Sequence, residues 1–258
     1  MRTQKVSIDT LWNSVSGHLP TFRFKQMTDL PDSAQWYLKH AIAAPLLQNS
    51  DPLATAVHLK MHGEIKLKGW QSFQAEQVIC YQRGMLWQAT VWMNGLPIFG
   101  WDRLIDGEGA MQWKLLGLLP VMTASGMDTT RSAVGRMQGE YVWLPSAFLH
   151  RDVKWSASAG DLDNSHVCAD LTLLKETTHL NLKIGRAGQL QEAYFKRWGD
   201  PGGSDPHYES FGVVVEDEGT FSGYTIPSQI RAGWYFGDSR FESEGEFFRA
   251  AITQAIYR

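Results

Sequence analysis

Alternating apolar and polar residues, interrupted by turn signals, constrain the fold of this chain most strongly. The run at residues 84–93 ends at Asn94-Gly95, a dipeptide typical of two-residue hairpins because both positions tolerate positive φ. A second run, 96–105, ends at Asp106-Gly107, and a third follows at residues 110–116. Since a period of two is typical of strands with one buried face, this stretch predicts a meander of antiparallel strands.

The meander leads into a predicted helix at residues 129–141, for which Asp128 is the expected N-cap. Gly135 and Gly139 lie one turn apart within it, and each costs ~1 kcal/mol of helix stability relative to Ala. One interpretation is a bare helix face that lets the backbone approach a sheet closely. The alternative is a poor helix, or a loop.

The period of two returns on both sides of this stretch. Strand-like runs occupy much of residues 55–81 and 166–236, and a further helix is predicted at 34–44. Residues 246–257 fit a strand or a helix equally. We therefore expect an α+β fold with a long antiparallel sheet and two or three helices.

The length of 258 residues is ordinary for one large β-rich domain. A single domain is expected over residues 1–258, with 1–30 as a peripheral N-terminal arm. Phe22 and Phe24 alternate around a polar residue and fit a short strand within that arm.

Composition narrows the function classes. A net charge of -3 and a pI of about 6.2 argue against nucleic-acid binding, which usually requires a basic excess or stripe. Eleven Trp residues favour a thick core, an aromatic-walled cleft, or both. The N-terminus lacks an apolar signal-peptide core, and no run reaches the ~18–20 apolar residues of a membrane span. A cytoplasmic protein without an anchor is therefore expected.

Cys80 and Cys168 fit buried free thiols, and a disulfide between them is left open.

Charged residues near the predicted helix are the main candidates for a site. Arg136 and Glu140 are four residues apart. Exposed, the pair would contribute only ~0.3–0.5 kcal/mol, whereas a buried pair facing the sheet would mark a site or fix a register. Asp102 and Asp106 flank the end of a strand, where paired carboxylates sometimes divide acid and base roles. Asp beside a turn is more often a simple turn former.

Two further segments place an Arg beside a Trp and a Gly: Arg197-Trp-Gly-Asp200 and Arg231-Ala-Gly-Trp234. A guanidinium stacks on Trp and still offers a planar fork to a carboxylate or phosphate. Each segment would bind an anionic head group or serve internal architecture, and architecture is the favoured interpretation.

Motifs for catalysis, cofactors or metals are weak. Ser146 lacks the glycines of a nucleophile elbow, and Gly107-Glu-Gly109 lacks the third glycine of a dinucleotide fingerprint. His58 and His62 lie in a run of period two without the neighbouring Glu of a zinc motif, so solvated strand histidines are expected. We expect no cofactor and no metal, and the sequence leaves open whether any reaction is catalysed.

Several segments together carry a family resemblance. They are Gly63-Glu-Ile-Lys-Leu-Lys-Gly-Trp70, Ser132-Ala-Val-Gly-Arg136 with Glu140, Trp143-Leu-Pro-Ser146, Arg197-Trp-Gly-Asp200, and Ile226-Pro-Ser228 with Gly233-Trp234. From about Leu30 to Arg258 the chain resembles a bacterial family known only as a domain of unknown function, which implies no activity. Many relatives carry a membrane-spanning N-terminus, so the resemblance implies membrane association for those relatives. More distantly, the layout is similar to the periplasmic lipoprotein-localisation carriers, which use a curved, half-open antiparallel sheet around an apolar cavity. With this resemblance, we expect an α+β fold in which a long, strongly curved antiparallel sheet, half-barrel-like, carries two or three helices on its concave face.

The leading functional prediction is non-catalytic binding of an apolar or amphipathic small molecule, lipid-like, in a cavity of the curved sheet. The alternatives are a hydrolase using Asp102, Arg136 and Glu140, or a scaffold protein with a filled core. A continuous apolar cavity favours the first, convergent carboxylates around water the second, and a solid interior the third. The predicted ligand-binding residues are Trp87, Trp101, Asp102, Arg136, Glu140, Trp143, Arg197, Trp198, Arg231 and Trp234.

Overall fold

The protein folds as a curved antiparallel sheet with four α-helices. The structure is a computed structural model, and it describes residues 7–15, 24–48, 52–157, 165–203 and 205–258. The helices are α1 Ile8–Asn13, α2 Asp32–Ala41, α3 Ala44–Gln48 and α4 Met127–Gly139. The strands are β1 Ala56–Lys66, β2 Trp70–Cys80, β3 Gly84–Met93, β4 Leu96–Ile105, β5 Glu108–Leu115, β6 Leu119–Ser125, β7 Lys154–Ala157, β8 His166–Leu173, β9 Glu176–Ile184, β10 Leu190–Gly199, β11 His207–Phe221, β12 Tyr224–Trp234 and β13 Glu246–Tyr257. Shorter helical turns cover Phe24–Asp29, Glu140–Trp143, Pro145–Leu149 and Phe241–Gly245.

The thirteen strands of the described chain pair in one sheet, in the order β6-β5-β4-β3-β2-β1-β13-β12-β11-β10-β9-β8-β7. β1 to β6 form one meander and β7 to β13 form another, so consecutive strands are neighbours within each half. The halves join where β1 pairs with β13, with Val57 opposite Tyr257. The chain from β6 to β7 runs through α4. β6 and β7 are the two edges of the strand order, so the sheet is open between them.

The predicted hairpin turns are confirmed. Asn94 and Gly95 have φ angles of 52° and 79°, and Met93 pairs with Leu96 across them. The turn at Asp106-Gly107 has the same form, with φ angles of 52° and 82°. Both turns therefore fix the register of the strands that they join.

The contacts of α4 require the sheet to curl. With 13 residues, the helix is about 20 Å long at 1.5 Å per residue. It packs against β4, β5 and β6 in one half and against β9 and β10 in the other. β4 and β10 lie seven places apart in the strand order, or roughly 34 Å in a flat sheet with ~4.8 Å between strands. One short helix reaches both only if the sheet bends, so the predicted curved α+β fold is confirmed.

The main hydrophobic core lies on the concave side of the sheet, beneath α2 and α4. Tyr37 of α2 and Met137 of α4 are almost fully buried there. α1 lies on the opposite face, where Leu11 packs in a separate small cluster with Val78 and Leu86. Helices therefore cover both faces, with the larger part of the core inside the curve.

Two local predictions are wrong. α4 begins at Met127 with Gly126 as its N-cap, so Asp128 lies in the first turn and does not cap the helix. Phe24 begins a 3-10 helix rather than belonging to a strand, and Phe22 lies outside the described residues.

The structure also decides alternatives that the sequence leaves open. Residues 246–257 form β13, which pairs with both β1 and β12. Residues 118–122 are apolar and have no predicted element, and they lie largely in the edge strand β6. Cys80 and Cys168 are both free thiols, so no disulfide joins them. Cys80 is buried as predicted, whereas Cys168 is only partly buried.

Candidate functional site

A cavity of about 590 Å³ lies between α4 and the concave face of the sheet. Its walls come from both halves of the sheet and are mostly apolar, with Trp87, Val91, Phe195, Val213 and Phe248 among the lining residues. The volume lies within the ~300–1,000 Å³ that is typical of small-molecule sites. This region is therefore the candidate functional site.

Strand alternation explains which side chains reach the cavity. Every second residue of a strand points to the same face, so Trp87 and Val91 of β3 both line the wall. On β10 the same rule brings Ala193, Phe195 and Arg197 to the cavity. The two halves of the sheet thus contribute facing walls.

The glycines of α4 allow the helix to lie close to β10. A Cβ atom at Gly139 would stand only 2.7 Å from Cε1 of Phe195, which is too close for a real side chain. At Gly135 it would stand 3.5 Å from Phe195 and 3.6 Å from Cγ of Arg197, which is ordinary contact. The interpretation of a bare helix face is confirmed, and it belongs chiefly to Gly139.

A cluster of ion pairs is built into the cavity wall around Arg136. Its Nη1 donates to Oδ2 of Asp102 at 2.8 Å, and its Nε donates to Oε1 of Glu140 at 2.7 Å. Further donors are Trp113 Nε1, 3.1 Å from Asp102 Oδ1, and Gln77 Nε2, 2.5 Å from Glu140 Oε2. The exposed fractions of the Arg136, Asp102 and Glu140 side chains are only 17%, 21% and 15%. Of the two interpretations for Arg136 and Glu140, the buried pair is correct.

The surroundings of Arg136 hold it in the charged form. Burial alone would lower the pKa of its guanidinium, but the charges of Glu140 and Asp102 outweigh burial and raise that pKa. The guanidinium also lies 5.1 Å from the centre of the Trp87 ring, within cation–π range. The cluster is therefore a stable charged feature in an otherwise apolar wall.

Arg197, in contrast, is a cation without a contacting counter-ion among the described residues. Its carbon Cζ lies 4.7 Å from the centre of the Phe211 ring and 5.4 Å from that of Trp234. Its Nε is buried and has no hydrogen-bond partner. Burial, together with the nearby Arg136 charge, lowers the pKa of Arg197 to about 10, so the side chain remains charged at neutral pH.

The mouth of the cavity lies beside the edge strand β6 and the β1–β2 turn. Val121 and Met122 of β6 line the cavity and are also about half exposed, at 52% and 55%. Leu67 and Lys68 of the β1–β2 turn line it as well. An apolar rim with one cation therefore borders the opening.

Six of the predicted ligand-binding residues line this cavity. They are Trp87, Asp102, Arg136, Glu140, Trp143 and Arg197. A seventh, Trp234, does not line the cavity but packs against Arg197. The centre of its ring lies 5.2 Å from that of Phe211. Trp143 also donates its Nε1 to the Pro227 carbonyl at 3.1 Å, which holds the indole in place.

The structure does not bring the other three predicted residues to the cavity. Trp101 lies on the convex face, beside the small cluster under α1, and borders a separate groove with polar and charged walls. Trp198 donates to Asp128 at 3.0 Å and lies under Arg131 at the start of α4. Arg231 is held by Glu216, Glu242 and Glu246 at 2.8–3.2 Å. In each strand an immediate neighbour in sequence lines the cavity instead: Asp102 beside Trp101, Arg197 beside Trp198, and Ala232 beside Arg231.

Sequence reasoning missed several residues of the site. Gln77 is 1% exposed and lies in β2 between the inward residues Ala75 and Ile79. A polar residue on the apolar side of an alternating strand was the signal that could have found it. Trp113 and Phe195 had no such signal, because their role follows from the pairing of β4 with β5 and from the path of α4.

One group of residues in the described ranges has the spacing of metal ligands. The ligand atoms of Cys168, Asp170 and His179 lie within 4.8 Å of one another on β8 and β9. His179 Nδ1 is 2.7 Å from Asp170 Oδ1, and the Cys168 thiol donates to the same oxygen at 3.6 Å. These contacts form an ordinary cross-strand network away from the cavity. His58, similarly, is 3.1 Å from Glu76 on the neighbouring strand.

The chain belongs to the DUF6920 family, a family of unknown function, whose profile matches residues 28–257. The resemblance carried by the sequence motifs is thereby confirmed. No match is found among curated proteins. Across the described ranges, none of the helices has both the length and the apolar character needed to cross a membrane.

The chain is also similar, at low identity, to several solved structures. A putative outer membrane lipoprotein-sorting protein domain from Vibrio parahaemolyticus has 7% identity and a TM-score of 0.41, covering 90% of this chain and 93% of that chain. A LolA superfamily protein from Nitrosomonas europaea has 8% identity and a TM-score of 0.44, with 89% and 94% covered. A DUF1329 family protein from Desulfovibrio piger has 10% identity and a TM-score of 0.34, with 79% and 86% covered.

Proposed function

We propose that the protein binds an apolar or amphipathic small molecule, lipid-like in character, in the cavity beneath α4, and that it does so without catalysing a reaction. The observation that supports this proposal is the cavity itself, about 590 Å³ in volume and walled mainly by apolar side chains. Transfer of a hydrocarbon ligand from water to such walls is favourable by roughly 25 cal/mol per Å² of apolar surface buried. The proposal rests on this cavity and not on the solved structures.

The alternative of a hydrolase is less well supported. Asp102 and Glu140 do converge, but each carboxylate is bound to Arg136, at 2.8 and 2.7 Å. A general base must reach the proton that it removes, and a nucleophile must lie within reach of its base. The carboxylates of this cluster instead serve to neutralise a buried guanidinium. A scaffold with a filled core is opposed by the volume of the cavity.

Filling the cavity provides the test. Ala232 lines the wall and is 3% exposed, so Ala232→Phe places a ring inside the cavity. Ala251 lies in the neighbouring strand between the core residues Ala250 and Ile252, so its side chain faces the other side of the sheet. Ala251→Phe is therefore the matched control.

The measurement is a titration with N-phenyl-1-naphthylamine, an uncharged probe that fluoresces in apolar surroundings. Wild-type protein and Ala251→Phe are expected to bind the probe, and Ala232→Phe is expected to lose at least about tenfold in affinity, because overlap with the new ring must displace either the probe or the wall. Thermal unfolding establishes that each variant is folded. Equal probe binding by a folded Ala232→Phe variant, or no binding by the wild type, would contradict the proposal.

A further inference from the structure

The polar groups of the cavity wall are out of balance, with donors that lack acceptors. The Nε of Arg197 is buried without a hydrogen-bond partner, and the Nε1 of Trp87 is in the same condition. Both residues line the cavity. A buried donor without an acceptor costs about 1–3 kcal/mol, and more when the group is charged. An occupant that brings acceptor oxygens would therefore satisfy donors that the protein itself leaves unpaired.

The nearby carboxylates do not satisfy Arg197. Both Asp102 and Glu140 are engaged by Arg136, and neither makes an ion pair with Arg197 among the described residues. Phe211 and Trp234 stack against the Arg197 guanidinium, at 4.7 and 5.4 Å. Stacking of this kind occupies the face of a guanidinium and leaves its edge free to donate to a carboxylate or phosphate.

We propose that the cavity binds a single-chain carboxylic acid, with its carboxylate held by Arg197 and its hydrocarbon chain against the apolar walls. This inference rests on the proposed function and specifies the class of ligand. The charge of the head group follows from its neighbours. One unpaired guanidinium matches one negative charge, whereas Asp102 and Glu140 in the same wall repel a second. A carboxylate therefore fits better than a phosphomonoester, which carries up to two charges.

Arg103 offers a comparison on the other face of the sheet. Like Arg197, it stacks on a Trp, 4.9 Å from the Trp101 ring centre, and it has a buried, unpaired Nε. It does not line the cavity. Arg103→Met thus makes the same chemical change as Arg197→Met without touching the proposed site.

The first experiment uses the wild-type protein and needs no variant. Isothermal titration calorimetry at about pH 8, where a carboxylic acid is ionised, compares palmitate, hexadecanol and hexadecyl phosphate, which share one chain length. Palmitate is expected to bind at least about tenfold more tightly than hexadecanol, because hydrogen bonds to charged groups are the stronger ones. It is also expected to bind more tightly than hexadecyl phosphate.

The second experiment repeats the titrations with the two variants. Arg197→Met is expected to lower palmitate affinity by about tenfold or more while changing hexadecanol affinity by less than about threefold. Arg103→Met is expected to leave both affinities within about twofold of the wild type. Retained hexadecanol binding shows that the Arg197→Met variant is folded.

The outcomes separate this inference from the proposed function. If palmitate and hexadecanol bind the wild type equally, the carboxylate anchor is wrong and the apolar cavity stands. Tighter binding of hexadecyl phosphate, or unchanged palmitate binding by Arg197→Met, likewise overturns the anchor. If none of the three compounds binds the wild type, the proposed function itself fails.

Discussion

At the scale of residues, Arg136 organises the only charged cluster that the cavity wall contains in the described ranges. It pairs with Asp102 on β4 and with Glu140 just beyond α4. Gln77 on β2 donates a hydrogen bond to Glu140. A buried ion pair repays its desolvation only when its remaining hydrogen bonds are satisfied. Here Trp113 and Gln77 supply those bonds, so the cluster fixes how the helix sits over the sheet.

Truncation of Glu140 tests this role. Glu140→Ala is expected to destabilise the protein by roughly 3 kcal/mol, at the lower end for removal of one partner of a buried pair, because Asp102 still holds Arg136. Arg136→Met combined with Glu140→Ala is expected to cost less than the sum of the single changes. Denaturant titrations of the four species give the coupling energy.

The control for this cycle is the more exposed cross-strand pair Lys183–Glu192, at 2.7 Å. Its coupling is expected to remain below about 1 kcal/mol, as is usual for pairs near the surface. A coupling energy below about 0.5 kcal/mol between Arg136 and Glu140 would mean that the pair contributes no more than an exposed i,i+4 pair. That result would contradict the role described for the cluster.

Strand alternation decides which of two neighbouring candidate residues reaches the cavity. Asp102 and Trp101 are neighbours in β4, so only one of them can face the cavity, and it is Asp102. The same rule places Arg231 away from the face that Ala232 lines. A period of two therefore excludes one member of each such neighbouring pair from the cavity. The unpaired state of Arg197 had no signal in the sequence, because it depends on which strands and helices meet around it.

At the scale of elements, the close approach of α4 to β10 is decided by one glycine rather than two. Gly139 faces the ring of Phe195 with no room for a methyl group, whereas Gly135 has ordinary space. Both are helical and have no positive φ. Their different surroundings give a matched pair of substitutions on one helix.

Gly135→Ala is expected to stabilise the protein by about 0.5–1 kcal/mol, because Ala restricts the unfolded chain and favours the helix. Gly139→Ala is expected to destabilise it by about 1–3 kcal/mol, because the new methyl must displace a buried ring or lift the helix. The measurement is the free energy of unfolding in urea for both variants. The same sign of change in the two would contradict the packing described for α4.

Elements with local signals were predictable, and those that depend on distant partners were less so. The turns at Asn94-Gly95 and Asp106-Gly107 were predictable from their dipeptides, because Asn, Asp and Gly tolerate the positive φ angles of such turns best. The apolar character of residues 118–122 did not reveal an edge strand, because β6 is defined by its pairing with β5. Asp128 resembled a cap but accepts from Trp198, which is distant in sequence.

At the scale of the whole molecule, two meanders meet along one seam and share one helix. The seam is the pairing of β1 with β13, in which His58 lies opposite Ile256. α4 then spans the interior that the two halves enclose. Alternation within each strand predicts an antiparallel sheet. The seam, however, joins the two ends of the sheet-forming sequence and has no local sequence signal. The volume of the cavity likewise depends on the whole arrangement, because both halves of the sheet contribute walls.

The central claim is that this interior holds a ligand. Native mass spectrometry of the purified chain, after incubation with a total lipid extract, measures that directly. The account predicts adducts with one ligand per chain for wild-type protein and for Ala251→Phe, and their loss from Ala232→Phe. Masses of the bare chain alone for the wild type, or identical adducts for Ala232→Phe, would contradict the claim that the cavity beneath α4 is a binding site.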